Sequence, residues 1–373
     1  MKHIFATLVI LLAIGSCRQE ETIILSTGTA VTTPYTNLGD IKGFYLLNEG
    51  NMGSNKATLD YFDYTTGIYH KNIYAERNPN VIKELGDVGN DLQIYGDRLY
   101  AVVNCSNLVE VMDLATATHI GTFSIPNCRY IIFSGSYAYV SSYVGPVQPD
   151  SDARLGYIAK VDLESLEVVS ECTVGYQPEE MVIVGDNLYV ANSGGYIYPN
   201  YDTTISVIDL VTFEEVTKVE VATNLYHMEV DPYGAIWVSS RGDYAEISSN
   251  VYVLETNGDM ETVALDVECS NMTIGGDKLY ILNEDGCTVV DTKSREVIQS
   301  EFIKDGTFRD IKFPYGIAYN EEYDELIITD ADDYITPGKL HCYGADGLLR
   351  WSVSATGDIP SSIAFTTTPL ESL

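Results

Sequence analysis

A pattern that recurs at intervals of about 45 residues constrains the fold of this chain more than any other feature. Each copy starts with a Gly-Asp, Gly-Ser or similar turn and continues into a short strand of alternating apolar residues. A polar loop then leads to a second strand that commonly ends in Asp. The copy that contains GDNLYVAN and ISVID, at 185–209, is the clearest. Other copies begin at residues 43, 96, 135, 233, 276 and 323, so the chain holds seven.

Each copy consists of strands rather than helices, because its apolar residues alternate with period two and are often β-branched or aromatic. Before six of the copies stands one more short apolar strand, at 91–94, 130–133, 181–184, 227–230, 272–274 and 316–319. The first copy lacks this strand, whereas the chain ends with a spare one at 361–365. Four strands per repeat are typical of a β-propeller blade. The sequence therefore predicts an all-β, seven-bladed β-propeller with four-stranded blades, whose ring closes when the C-terminal strand completes the first blade.

The two faces of such a propeller differ in their loops. If the strands of a blade are called a to d from axis to rim, the a–b and c–d turns share one face, and these turns are short here. The b–c loops and d–a connections share the opposite face, which we call the long-loop face. Its longest segments are 48–55, 75–90, 142–155, 193–203, 240–250, 304–314 and 330–338. Unequal loops on a regular scaffold are where binding residues concentrate.

Tyrosine and arginine on the long-loop face are the main candidates for ligand binding. Tyr offers a large apolar face with a polar tip, and Arg can hold a carboxylate or phosphate in a fork geometry. Tyrosines that pack under their own loops, and arginines that pair with nearby carboxylates, are the alternative. The candidate ligand-binding residues are Glu49, Asn51, Arg77, Tyr143, Tyr196, Tyr198, Tyr201, Tyr226, His227, Arg241, Tyr244, Phe308, Arg309 and Tyr334.

Catalytic and metal-binding motifs are not found in the sequence. It contains no GxSxG, HExxH or phosphate-loop pattern. The acidic run at 330–333 lacks the full spacing of a calcium loop. We therefore expect no catalytic residue, no metal and no cofactor. The alternative is a propeller hydrolase or lactonase in which Glu49 and Asp332 position a metal in the central channel.

The net charge limits the classes of binding partner, and the cysteine pattern limits the disulfides and metal sites to be expected. The net charge of −33 opposes binding to nucleic acid or to anionic lipid. Six cysteines follow Cys17, and none forms a CxxC pair. We expect most of them to be small buried hydrophobic residues rather than partners in disulfides.

The N-terminal residues are predicted to form an export signal. Residues 1–16 combine a basic start with an apolar run that is too short to span a bilayer. Ile14-Gly15-Ser16-Cys17 resembles a bacterial lipobox, which implies lipidation at Cys17, and the following Arg18-Gln19-Glu20-Glu21 resembles an acidic surface-export tag. We predict a signal peptide at 1–16, a lipidated cysteine and flexible tether at 17–40, the propeller at 41–366 and a C-terminal tail at 367–373.

The repeated GDxLYVAN and ISVIDL pattern, clearest at 185–216, resembles the YVTN/YncE group of seven-bladed propellers. Together with the lipobox and the opening GFYLLNEGN, it resembles the BtuG-type cobalamin-binding surface lipoproteins of Bacteroidota. That resemblance implies capture of a corrinoid at the cell surface and its transfer to a TonB-dependent outer-membrane transporter. The prediction is a surface-anchored, non-enzymatic binding protein. A propeller hydrolase, lactonase or lyase is one alternative, and a structural or adhesion protein is another.

Overall fold

The fold is known from a computed structural model that describes residues 25–81, 85–145, 147–256, 260 and 262–371. Within these residues, 29 strands form seven antiparallel sheets. The innermost strand of each sheet contacts the innermost strands of two neighbouring sheets, and these contacts form a closed ring. The predicted all-β, seven-bladed propeller is therefore confirmed.

The strands follow one another in chain order from axis to rim in every blade except the first. Blade 2 contains β5 (Gly89–Tyr95), β6 (Arg98–Val103), β7 (Leu108–Asp113) and β8 (His119–Ser124). Blade 3 contains β9 (Cys128–Ser134), β10 (Tyr137–Ser142), β11 (Tyr157–Asp162) and β12 (Glu167–Thr173). Blade 4 contains β13 (Pro178–Val184), β14 (Asn187–Asn192), β15 (Thr204–Asp209) and β16 (Glu214–Glu220).

The next three blades repeat this order. Blade 5 contains β17 (Leu225–Val230), β18 (Ile236–Ser240), β19 (Asn250–Leu254) and β20 (Thr262–Ala264). Blade 6 contains β21 (Asn271–Gly275), β22 (Lys278–Leu282), β23 (Cys287–Asp291) and β24 (Val297–Gln299). Blade 7 contains β25 (Pro314–Asn320), β26 (Glu325–Asp330), β27 (Lys339–Gly344) and β28 (Leu349–Ser354). All six leading strands predicted from the sequence are present as the innermost strands of blades 2 to 7.

Blade 1 is built from both ends of the chain. It contains β29 (Pro360–Thr366), β2 (Gly43–Asn48), β3 (Thr58–Asp63), β4 (Ile68–Lys71) and β1 (Thr27–Ala30), from axis to rim. β29 pairs antiparallel with β2, with Phe365 opposite Phe44 and Ala364 opposite Tyr45. The C-terminal strand therefore completes the first blade, as the unmatched strand at 361–365 predicts.

The fifth strand of blade 1 was not predicted. β1 falls within the segment 17–40, which is predicted above to be a tether, and it pairs with β4 along the rim. All four of its residues are exposed, so the segment carries no alternating apolar pattern by which a strand could be predicted. Backbone hydrogen bonds to an otherwise unpaired edge are what hold it there. The signal peptide and Cys17 lie outside the described residues.

Buried side chains form seven apolar layers, one between each pair of adjacent blades. β2 shows how the strands fill them. Phe44 and Leu46 face blade 7, whereas Tyr45 and Leu47 face blade 2. Because side chains alternate along a strand, a middle strand needs apolar residues on both faces. This requirement explains the uninterrupted run GFYLLN.

The recurrent Asp at the end of strand c closes the turn that follows it. The carboxylate of Asp113 accepts a hydrogen bond from the Thr116 N–H at 2.9 Å, and that of Asp209 accepts one from the Thr212 N–H at 2.7 Å. An Asp side chain that binds the backbone two or three residues on mimics a turn. These hydrogen bonds keep the turns short on the face that carries the a–b and c–d turns, so that face stays flat.

The helices are short. Within the part of the chain that the structure describes, they are α1 (Ile73–Arg77) and the 3₁₀ helix η1 (Thr307–Asp310). No helix among the described residues has the length and apolar character needed to cross a membrane. The six described cysteines are free, and all but Cys105 are buried, in agreement with the prediction that most are small core residues.

Removal of β29 is expected to unfold the propeller, because β2 loses its backbone partner and two apolar layers lose their inner boundary. A chain that ends at residue 359 should show no cooperative thermal unfolding by circular dichroism. A chain that ends at residue 366 keeps β29 and is the matched control, for which we expect a cooperative transition. Cooperative unfolding of the shorter chain near the control's temperature would contradict this account of ring closure.

Candidate functional site

The start of each innermost strand lies at the long-loop end of the central channel. Six of these seven strands have a register irregularity there, for example between Pro178 and Met181 in β13 and between Leu225 and Met228 in β17. The other four are in β5, β9, β25 and β29. A β-bulge bends the strand and redirects a side chain. The residues at the bulges line a cavity of about 250 Å³, and they include Asn90, Asp91, Tyr130, Glu180, Tyr226, His227, Tyr315, Ser361 and Ser362.

Two arginines converge on one buried carboxylate at the long-loop end of the channel, which we call the channel mouth. Arg129 directs Nε and Nη2 at Glu179 Oε2, both at 3.1 Å, and Arg241 directs Nη2 at Glu179 Oε1 at 2.9 Å. Tyr143 and Ser193 also donate hydrogen bonds to this carboxylate. Burial alone raises the pKa of Glu179, but the two guanidinium groups outweigh it and hold that pKa below its ordinary value. We call Arg129, Glu179 and Arg241 the arginine–glutamate cluster.

Aromatic rings cover the two guanidinium groups. The Arg241 guanidinium carbon lies 4.1 Å from the centre of the Tyr226 ring, and that of Arg129 lies 5.0 Å from the Tyr143 ring. Tyr196 meets Tyr143 edge to face at 6.1 Å. Cation–π contacts of this kind are strongest when water is excluded, so the rings and the cluster stabilise one another.

More tyrosines extend this wall toward solvent. Tyr201 meets Tyr198 at 6.1 Å and Tyr244 at 6.4 Å between ring centres, in both cases edge to face. Tyr198 and Tyr244 remain 69% and 70% exposed. Two large aromatic side chains that stay exposed beside a concave site are candidates for ligand contact.

Blades 1 and 7 provide the opposite wall. The hydroxyl of Tyr315 donates to the two oxygens of Glu49 at 3.0 and 3.1 Å. Burial raises the pKa of Glu49 to about 7. Tyr334 packs edge to face on Phe313 at 4.5 Å and on Tyr315 at 6.1 Å, and Asn51 donates to the backbone oxygen of Tyr334.

A groove of about 620 Å³ joins the two walls. Arg241, Tyr244, Phe313 and Tyr334 are among its lining residues. The groove and the channel cavity share Ser270 and Phe313, so they form one continuous concave surface. Its dimensions fall in the range of small-molecule binding sites.

Deeper in the channel the side chains become acidic. Burial raises the pKa of Asp91 to about 7 and that of Glu229 to about 8, and the nearby Glu180 carboxylate adds to both shifts. Glu180 is itself engaged by His227, whose Nδ1 lies 3.1 Å from Oε2, and by the Met228 N–H at 2.8 Å. The channel therefore changes from a cationic mouth to an acidic interior.

Three of the candidate residues lie apart from the channel mouth. Arg77 donates to the carbonyls of Thr116 and Glu371. Thr116 belongs to the turn between β7 and β8, so Arg77 lies by the face opposite the one predicted for it. The short strand β4 ends early, and α1 packs against blade 2 before the chain crosses to the long-loop face. Phe308 and Arg309 lie in η1 and line a separate cavity of about 340 Å³.

The other candidates gather around the groove and the channel mouth, namely Glu49, Asn51, Tyr143, Tyr196, Tyr198, Tyr201, Tyr226, His227, Arg241, Tyr244 and Tyr334. Three further residues of the site, Glu179, Tyr315 and Arg129, are not among the ligand-binding residues predicted from the sequence. The sequence does contain a pattern that could have identified such residues. A polar pair stands before the first apolar residue of the leading strands, and these pairs align between copies. Arg129-Tyr130, Glu179-Glu180 and Tyr226-His227 are examples.

The described residues contain no group of three or more His, Cys, Asp or Glu side chains arranged to hold a metal ion. The acidic run at 330–333 instead binds its own backbone. Asp330 accepts hydrogen bonds from the N–H groups of Phe313 and Asp332, and Asp333 accepts them from Ile335 and Thr336.

The fold and the mouth define a seven-bladed β-propeller protein with an aromatic, arginine-bearing concavity on its long-loop face. Residues 42–338 match the family described as a domain of unknown function, DUF5074, and the chain belongs to that family. A comparison with curated proteins finds no match.

Solved structures share the fold at low sequence identity. A quinonprotein alcohol dehydrogenase-like protein from Bacteroides thetaiotaomicron is 16% identical, with a TM-score of 0.62 over 88% of this chain and 79% of that one. AztD from Citrobacter koseri is 11% identical, with a TM-score of 0.53 over 87% of this chain and 97% of that one. Identities this low show the fold alone.

Glu229 predicts a pH-dependent stability. Its raised pKa means that the native state keeps a proton that the unfolded chain releases near pH 4, so this group lowers the free energy of unfolding as the pH rises from about 4 to 8. Glu229→Gln removes the penalty. Its stability relative to wild type should increase by about 1–3 kcal/mol between pH 4.5 and 8.5, as measured by urea unfolding.

Glu167→Gln is the control for this measurement, because Glu167 is exposed on β12. The stability of that variant relative to wild type should not change with pH. A Glu229→Gln effect that is equally independent of pH would contradict the assignment of a half-buried, proton-retaining carboxyl group in the channel.

Proposed function

We propose that this protein is a non-enzymatic binding protein that captures a large amphipathic ligand on its long-loop face. The observation that carries the proposal is the continuous concave surface of groove and channel mouth, walled by tyrosines and an arginine from several blades. Aromatic rings with polar tips give broad contact area, and the amide, hydroxyl and guanidinium groups between them give directional hydrogen bonds. A ligand that combines apolar area with many polar arms fits this chemistry.

A corrinoid is the ligand class that we propose. Its macrocycle offers an extended apolar face, and its amide side arms ask for hydrogen bonds over a wide area. The resemblance of the repeats and of the lipobox region to BtuG-type proteins supports the same choice. The exposed pair Tyr198 and Tyr244 supports it further, because these rings lie at the solvent-exposed edge of the tyrosine wall, where a large ligand would extend beyond the groove.

Calorimetric titration with cyanocobalamin tests the proposal. A form that starts at residue 18 keeps every described residue and is suitable for this measurement. We expect one-to-one binding, which Tyr198→Ala and Tyr244→Ala each weaken by roughly tenfold, as expected for aromatic contacts at a binding surface. Tyr233→Ala is the matched control, because Tyr233 is also an exposed tyrosine, at 54%, but lies in the turn between β17 and β18 on the opposite face.

The titration has two outcomes that contradict the proposal. Absence of heat at micromolar protein would overturn the corrinoid assignment. Binding that is weakened equally by Tyr233→Ala would overturn the assignment of the ligand to the long-loop face.

A propeller hydrolase or lyase is the second candidate, and Glu49 favours it. A half-buried carboxyl with a pKa raised to about 7, hydrogen-bonded to Tyr315 inside a cavity, has the protonation properties of a general acid or base. Mass spectrometry of the ligand after the titration separates the two candidates. A binding protein returns the ligand unchanged, whereas an enzyme returns a product whose formation is lost in Glu49→Gln.

We propose further that the protein is anchored to the outer membrane at Cys17, faces the cell exterior and passes its ligand to a TonB-dependent transporter. The lipobox and the acidic tag after it support the anchor. In cells fed with labelled palmitate, the wild-type chain should incorporate the label and Cys17→Ala should not. Added protease should degrade the wild type on intact cells. Label incorporation by Cys17→Ala would contradict the anchor.

A further inference from the structure

The arginine–glutamate cluster carries more positive charge than its own carboxylate neutralises. Glu179 contributes one negative charge, whereas Arg129 and Arg241 contribute two positive charges within 3.1 Å of it. Buried charges are normally paired. One guanidinium is therefore sufficient for Glu179, and the second leaves the cluster with a net positive charge.

The surroundings of the cluster leave this charge in place. Burial raises the pKa values of the hydroxyl groups of Tyr143 and Tyr226, so both are neutral. Glu49 shares its carboxylate with Tyr315, and burial raises the pKa of Glu49 to about 7. The cluster itself is thus a cationic point in a chain whose net charge is −33, and Glu268 and Glu284 line the groove beside it.

The geometry of the cluster is held in advance of any ligand. The Arg241 guanidinium lies on the Tyr226 ring at 4.1 Å, with Nε bonded to Asn224 Oδ1 at 3.2 Å and Nη2 bonded to Glu179 at 2.9 Å. A group fixed in this way loses little conformational freedom when it binds.

Hydrogen-bond capacity remains for a ligand. Among the described residues, none accepts a hydrogen bond from Nη1 of Arg129 or of Arg241. The Arg241 side chain is 25% exposed and that of Arg129 is 13% exposed. Arg241 also lines the groove of about 620 Å³, so its side chain borders the space that the ligand is proposed to fill.

We propose that the arginine–glutamate cluster is an anion subsite that binds a singly charged oxygen acid of the ligand, either a phosphodiester or a carboxylate. Arg241 donates to the anion directly, and Glu179 orients the two guanidinium groups. Arginine matches such groups because its planar donors fit two oxygens at once. The identity of the ligand as a corrinoid rests on the proposed function above, whereas the anion subsite itself does not.

Three corrinoids test the subsite, because they share the macrocycle and differ in charge. Cyanocobalamin carries a phosphodiester, cobyric acid carries a carboxylate, and cobinamide carries neither. Calorimetric titration of the wild type is expected to show cobinamide as the weakest of the three. Arg241→Gln should weaken the better anionic ligand by about 10- to 100-fold, as expected for charge-assisted hydrogen bonds, and should leave cobinamide nearly unchanged. Which acid loses more identifies the anion.

Two further variants separate the loss of the anion contact from effects on folding. Arg241→Lys keeps a positive charge beside Glu179 but lacks the planar fork, so we expect an intermediate loss for the anionic ligand. Arg350→Gln is the matched control, because Arg350 pairs with Asp346 at the rim of blade 7, and its titrations should equal those of the wild type. Circular dichroism of each variant must show the wild-type thermal transition before its titrations are compared.

Inorganic phosphate provides a test of the subsite that does not depend on corrinoid binding. In thermal unfolding, millimolar phosphate should raise the transition temperature of the wild type but not that of Arg241→Gln. If no corrinoid binds and this phosphate effect is present, the subsite stands and the corrinoid function fails. If corrinoids bind with equal losses for charged and uncharged forms in Arg241→Gln, and phosphate has no effect, the subsite is overturned and the corrinoid function stands.

Discussion

The antiparallel pairing of β29 with β2 is the constraint on which the rest of the structure depends. Each blade buries its side chains only against its two neighbours, so the first and last blades cannot complete their packing until the ring is closed. Closure by backbone hydrogen bonds also removes the unpaired edge that an open series of blades would leave at its first strand. The consequence for function is geometric. Only in a closed ring do the first residues of all seven innermost strands meet around one axis.

The convergence of these residues allows a strongly acidic chain to present a cationic mouth. Arg129, Glu179 and Arg241 come from blades 3, 4 and 5, and each belongs to or directly follows a strand of its blade. Burial of Glu179 is tolerated because two guanidinium groups and two hydroxyl groups satisfy it. Farther along the channel the acidic groups reduce their mutual repulsion by retaining protons, as the raised pKa values of Asp91 and Glu229 indicate.

The rim of the mouth is held in place by loop turns rather than by strands. Tyr244 and Tyr334 both have positive φ angles, of 59° and 64°, a conformation that bulky residues seldom adopt. In each case the preceding aspartate, Asp243 or Asp333, accepts hydrogen bonds from the N–H groups that follow the tyrosine. These turns hold the aromatic side chains beside the groove, so the rim is ordered although it lies in loops. Strain of this kind is concentrated at functional sites in proteins.

Local sequence determined the repeated elements, because strand period and turn chemistry depend on neighbouring residues. The seven copies, their leading strands, the spare strand at 361–365 and the tyrosine-rich long-loop face all follow from such patterns. Tertiary structure alone decided which polar residues meet. Glu179 lies 50 residues from Arg129 and 62 from Arg241 along the chain, and the bulges at the strand starts, together with ring closure, bring the three together. It also decided that Arg77 turns toward the opposite face and that β1 pairs with β4, because both depend on backbone partners that are distant along the chain and carry no side-chain pattern.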